Sequence, residues 1–159
     1  MIFGASYRSA AILPDGTRPP EVGNPVSDYV AVARPGSRAP QVPLERDGER
    51  FSTPGLAAGG FTLLAGPAGA AWRDAARAGA LGVPLHAFTV GPDGDLQGRE
   101  DRWTVAYDVE PDGAVLVRPD GHVGWRRRSG VRGPGGELER VVHGMRGRAQ
   151  PLTPSRGAR

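Results

Sequence analysis

Three histidines, His86, His122 and His143, are the side chains of this 159-residue chain best suited to proton transfer or metal binding, and each stands in a different stretch. No two share the spacing that sets imidazoles on one helix face, so no zinc site follows. Cysteine is absent, which excludes a disulfide, a thiolate nucleophile and a sulfur-ligated metal. Ser52-Thr53 lacks the glycine context of a nucleophile elbow. Asp93, Asp95 and Asp120 sit in glycine-containing turns, where a carboxylate folding back on its own backbone is expected rather than an acid–base pair. His122, just after an Asp-Gly turn, reads as an exposed turn residue. No catalytic residue, metal ligand or cofactor is expected from these patterns, and the chain is read as a non-enzyme.

The large aromatics Trp72, Trp103, Tyr107 and Trp125 read as packing residues, with an aromatic wall for a flat ligand as the functional alternative. Charge is uneven. Residues 118–159 carry ten arginines against Asp120, Glu137 and Glu139, a net +7, which leaves −4 for residues 1–117. The arginines are scattered and form no recognition module, so no nucleic-acid partner is expected, and Arg126-Arg127-Arg128 reads as a solvated strand end. All 20 basic residues are arginine, which points to a G+C-rich coding sequence. With no apolar run of about 18 residues and no secretory leader pattern, a soluble cytoplasmic protein without a membrane partner is expected.

The elements that would position these residues can be read from periodicity and turn chemistry. Residues 2–13 read as an N-terminal strand, followed by a Pro-rich connector to about residue 43. Asp47-Gly48 marks a hairpin turn, and Gly59–Gly66 a central strand. Residues 68–80 place Trp72, Ala75, Ala76 and Gly79 at helical spacing. A strand over 84–90, a turn over 91–95 and a short helix over 102–107 come next. Ala114–Val117 and His122–Trp125, joined by Pro119-Asp120-Gly121, form a hairpin. Its first strand reads as buried on both faces and its second as nearer an edge. A helix from Gly136 to about Arg146 carries the stripe Leu138, Val141, Val142 and Met145. With 25 glycines and 16 prolines, about a quarter of the chain, long irregular segments are expected. The division predicted is an N-terminal strand and connector over 1–27, one α/β domain over 28–147, and a disordered tail over 148–159.

Strand, helix, strand, short helix, antiparallel hairpin and final helix follow one another in the order of a thioredoxin-like domain, a central mixed sheet flanked by helices. Four ordered stretches carry the match further: YRSAAI (7–12), DYVAVARPGSRAPQVPL (28–44), GFTLLAG (60–66) and GAVLVRPDGHVGWR (113–126). Together they resemble the C-terminal domain of FAD-dependent aromatic-ring hydroxylases, especially those acting on bacterial aromatic polyketides. That domain lacks the thioredoxin redox pair, and here the corresponding turn is Gly66-Pro67-Ala68-Gly69-Ala70-Ala71-Trp72. The family binds flavin through a separate Rossmann-type domain with a Gly-rich loop, and no strand here runs into a GxGxxG turn.

The resemblance implies a freestanding non-catalytic domain that binds an aromatic natural product or pathway intermediate in bacterial secondary metabolism. The alternative is a docking or self-association module for a flavin-dependent hydroxylase, and a retained enzymatic role is the third reading. A thioredoxin-like fold has room where its central strand ends, so the ligand-binding candidates are Gly66, Pro67, Gly69, Trp72, Tyr107 and Val109, with an aromatic polyketide-type small molecule as partner. Small residues let a planar ligand approach the backbone, and an aromatic ring can stack on it.

Overall fold

The computed structural model describes residues 33–79, 81–98 and 100–148. The expected N-terminal strand, most of the connector and the tail from 149 onward lie outside them. The elements are β1 (Pro43–Arg46), β2 (Glu49–Ser52), α1 (Thr53–Leu56), β3 (Phe61–Ala65), α2 (Ala70–Ala78), β4 (Leu85–Thr89), α3 (Glu100–Tyr107), β5 (Ala114–Val117), β6 (Val123–Arg127) and α4 (Pro134–Arg148). A four-stranded sheet has the order β4-β3-β5-β6, and β1 and β2 form a separate two-stranded sheet. β3 and β4 run parallel across the α2 crossover, whereas β3–β5 and β5–β6 are antiparallel. The fold is mixed α/β, in the order of elements read from the sequence.

Strand alternation explains why the inner strands are apolar at nearly every position. Successive side chains point to opposite faces, so Leu64, Val115 and Val117 join one core while Leu63, Ala65, Ala114 and Leu116 join the other. Two helices cover the second face: α2 contributes Trp72 and Ala76, and α4 contributes Leu138, Val141, Val142 and Met145. The whole predicted stripe of the last helix is therefore buried. The first face is covered mostly by irregular chain. Ala33, Ala39, Val42 and Leu44 of the segment before and within β1 pack there with Trp103 and Tyr107 of α3 and with Leu96.

Both turns follow from their residues. Asp47 and Gly48 adopt positive φ, 54° and 80°, as a two-residue hairpin with right-handed strand twist requires. At the second hairpin Gly121 has φ 80°, and its N–H donates to Arg118 O at 2.9 Å.

Two sequence readings need correction. Arg126 is not a solvated strand end: its side chain is fully buried, whereas those of Arg127 and Arg128 are about half exposed. Arg126 stands opposite Val115 in the ladder, on the face away from Trp125, and that face is roofed by α3 and the connector. His122 is half-buried rather than exposed, because residues 36–39 run beside it and its Nδ1 lies 3.4 Å from Asp120. The second hairpin strand does lie at the sheet edge, but it is buried from Val123 to Arg126.

Trp125 joins the core under α4 and meets Trp72 edge to face at 5.5 Å. Trp125→Ala is expected to destabilise the fold by about 3–5 kcal/mol, the usual range for deleting a large core aromatic, as read from urea unfolding. A loss below about 1 kcal/mol would show that the ring is not a core element.

Candidate functional site

The C-terminal end of β3 meets the loop between α3 and β5 at a seam. Gly66 N–H donates to Gly113 O at 3.0 Å and Ala68 N–H to Pro111 O at 2.9 Å. From the first turn of α2, the Trp72 indole N–H donates to Asp112 O at 3.0 Å. The segments chosen from the sequence, 66–72 and 107–112, are therefore adjacent. What separates them is main-chain hydrogen bonding rather than open space. A Cβ on Gly66 would stand 2.2 Å from Pro111 O, and one on Gly91 would stand 2.8 Å from Cβ of Pro67. Glycine is required at 66 because two backbones touch there. Gly69, at the N-cap of α2, is likewise packed against Ala65.

The aromatic candidates are enclosed and lie on opposite faces of the sheet. Trp72, 2% exposed, belongs to the core under the helices, whereas Tyr107 and Val109 belong to the core under the connector. They do not share one wall. The Tyr107 ring stacks on Trp103 at 5.5 Å, and its hydroxyl donates to Pro40 O at 2.9 Å. Burial pushes the Tyr107 phenol well above its ordinary value, against the opposing hydrogen bond with Thr53. Thr53 Oγ1 also donates to Pro40 O, so one connector carbonyl is held by two buried hydroxyls.

Two polar centres escaped the sequence reading. Arg126 Nη1 donates to Tyr107 O at 3.2 Å, satisfying a carbonyl at the C-terminus of α3, and lies 3.5 Å from Asp108 Oδ2. Asp108 closes the helix with a left-handed φ of 50° and also accepts from Arg128 at 2.7 Å. The signal was present in the period of two: a residue next to Trp125 in a strand must face the other core. The second centre is Asp95, read correctly as a turn former but with a wider role. Its Oδ2 accepts from Thr89 N–H at 2.9 Å and from the Thr89 hydroxyl at 3.0 Å, and Arg73 and Arg77 each approach the carboxylate at 3.4 Å. Partial burial alone would raise the Asp95 carboxyl, but the two Thr89 hydrogen bonds with Arg77 and Arg73 outweigh it and hold the group at about 2.

Among the described residues no three His, Asp or Glu side chains converge as a metal site would require, and no helix is long and apolar enough to cross a membrane. An open groove beside β6 is lined by Arg127, Glu137, Arg140 and Val141, with Arg127 3.7 Å from Glu137.

Residues 32–149 match the family model for the C-terminal domain of aromatic-ring hydroxylases. The chain belongs to that family. It is 41% identical over 143 residues to aklavinone 12-hydroxylase RdmE of Streptomyces purpurascens, a match covering 89% of this chain and 26% of the relative. Among solved structures, a ternary complex of aklavinone-11 hydroxylase with FAD and aklavinone matches with a TM-score of 0.77 at 41% identity, over 90% of this chain and 26% of that one. The flavin-dependent monooxygenase PieE, in complex with FAD and substrate, matches with a TM-score of 0.79 at 42% identity, over 91% of this chain and 25% of that one. The chain thus spans about a quarter of the length of these relatives.

Two outcomes follow from the packing. Gly66→Ala forces a methyl into Pro111 O, and a cost of about 1–3 kcal/mol is expected in chemical denaturation, the range for overpacking. Unchanged stability would mean that the seam is loose enough to open. For Asp95, whose carboxyl is lowered from an ordinary 3.8 to about 2, the ionised form favours the folded state. Its contribution is complete above about pH 4 and is lost as the pH falls toward 2. Asp95→Asn should therefore flatten the acid limb of the stability curve in that window, and an identical limb in the variant would remove Asp95 from this role.

Proposed function

We propose that this domain serves a flavin-dependent aromatic hydroxylase as a docking or accessory domain, supplying surface and rigid packing rather than redox chemistry. The observation that carries the reading is its likeness, at 41% identity over nearly the whole chain, to one quarter of an aklavinone hydroxylase. In such a system the FAD and the hydroxylation chemistry belong to the remaining part of the enzyme, and the substrate class is a polycyclic aromatic of the polyketide type. The absence of cysteine and the main-chain closure of the seam at Gly66 favour a structural contribution from this segment.

The second reading is direct capture of a planar aromatic beside residues 66–72 and 107–112. It draws on the relative solved with aklavinone bound. Against it, Trp72 and Tyr107 are closed off by neighbouring protein and face different cores. Binding there would have to separate the hydrogen bonds from Gly66 to Gly113 and from Ala68 to Pro111.

Amide shift mapping of the full chain discriminates between the two. Titration with aklavinone should leave residues 66–72 and 107–112 unmoved, and the purified protein should be colourless, hold no FAD and oxidise no NADPH. Saturable shifts at those two segments with aklavinone alone would replace docking by ligand capture. A stoichiometric flavin spectrum would overturn the accessory reading altogether.

A further inference from the structure

The two faces of the four-stranded sheet are covered unequally. Helices α2 and α4 bring Trp72, Leu138, Val141, Val142 and Met145 to one core. Ahead of β1, the chain brings only Ala33, Ala39 and Val42 to the other, where Trp103 and Tyr107 lie stacked. Two alanines and a valine remove far less apolar area from water than two helices of large side chains, and the stabilisation scales with that area. Residues 33–42 are therefore a light cover.

What holds this segment down is mostly polar. Gly36 N–H donates to Val123 O and Val123 N–H to Ser37 O, both at 2.8 Å, and Ala39 N–H donates to Gly121 O at 2.9 Å. The hydroxyls of Thr53 and Tyr107 reach Pro40 O, and Val42 N–H reaches Thr53 Oγ1 at 3.4 Å. The segment also carries a turn of its own, with Ser37 N–H donating to Arg34 O at 2.9 Å and the Ser37 hydroxyl to the same oxygen at 2.7 Å. It can therefore lift without unravelling.

Closure leaves donors unmet. Nε of Arg34, within the segment, and the indole N–H of Trp103, in the core it helps to cover, are buried and have no hydrogen-bond partner. A buried donor that has given up water without a partner costs more than an average hydrogen bond returns. Opening restores Arg34 Nε to water. At Pro40 the Thr53 and Tyr107 hydroxyls are also in hydrogen-bonding contact with each other, so the departure of the carbonyl leaves them a partner.

We propose that residues 33–42 form a strap that opens as one unit on an otherwise folded domain, baring the core around Trp103 and Tyr107 while the sheet, α2 and α4 keep their packing. The proposal is independent of the docking reading and of ligand capture at the seam.

Native-state amide hydrogen exchange of the full chain, followed by NMR, tests it. The amides of Gly36, Ala39 and Val123 should exchange with one shared opening constant, at least about a hundredfold larger than that of Gly66 and Val90, whose N–H groups bond Gly113 O and Ala65 O away from the strap. Tyr107→Phe removes one of the two hydroxyls on Pro40 O and should raise the strap constant about fivefold, the worth of one hydrogen bond, with Gly66 and Val90 unchanged. Arg34→Met keeps the stem but removes the unmet donor, so it should lower the strap constant by at least about fivefold. That variant carries the test if Tyr107→Phe loses its thermal transition. Strap amides that exchange as slowly as Gly66 and Val90, or three unequal strap constants, would overturn the proposal. So would a faster strap in Arg34→Met.

Discussion

A four-stranded sheet whose inner strands are apolar at nearly every residue must be covered on both faces, and every other feature of this domain follows from how one short chain does so. Ala114–Val117 is buried throughout, split between two cores by simple alternation. One face receives the two longer helices. The other receives mostly irregular backbone, which brings polar groups into an apolar setting and so needs internal partners for them. The chain meets that need at a few points: Pro40 O takes the hydroxyls of Thr53 and Tyr107, and Arg126 takes the last carbonyl of α3. These contacts are conditions for covering a sheet with loop rather than additions to it.

The same constraint closes the place where a fold of this kind would otherwise offer chemistry. When β3 ends, the loop from α3 to β5 must return across it to begin β5, and the two backbones meet at Gly66 and Pro111. Trp72 then bonds Asp112 O and fills the core behind the seam. The seam is thus closed by main-chain hydrogen bonds, with glycine where the two backbones touch.

How much of this could be read from residues alone depends on whether the signal was local. Hairpins at Asp47-Gly48 and Asp120-Gly121, the stripe of α4 and the apolar inner strands were legible, because turn chemistry and periodicity act over a few residues. The pairing of segments 66–72 and 107–112 was legible from the order of elements through its analogy to a thioredoxin-like fold. Enclosure was not. Whether Trp72 is a wall or a core residue depends on Asp112, forty positions away, and whether Tyr107 shares its face depends on the parity of strands that neither residue occupies. Arg126 was misjudged because a run of three arginines was weighed as composition, when the strand period separates the middle position from its neighbours' environments. His122 was misjudged for a related reason, since its bridge partner Arg38 stands 84 residues earlier in the chain.

The edges themselves are treated unequally. Unpaired strand edges invite association, and proteins commonly block them. At β4, Arg77 donates to Ala87 O while Asp95 takes the N–H of Thr89, so side chains from α2 and the following turn occupy main-chain groups that a partner strand would need. At β6 the cover is main chain, the connector itself, which hydrogen-bonds to Gly121 and Val123. One edge is sealed by side chains and the other by a segment of main chain. Both edges are thereby closed to strand addition, one by side chains of its own layer and the other by the path along which residues 36–39 run.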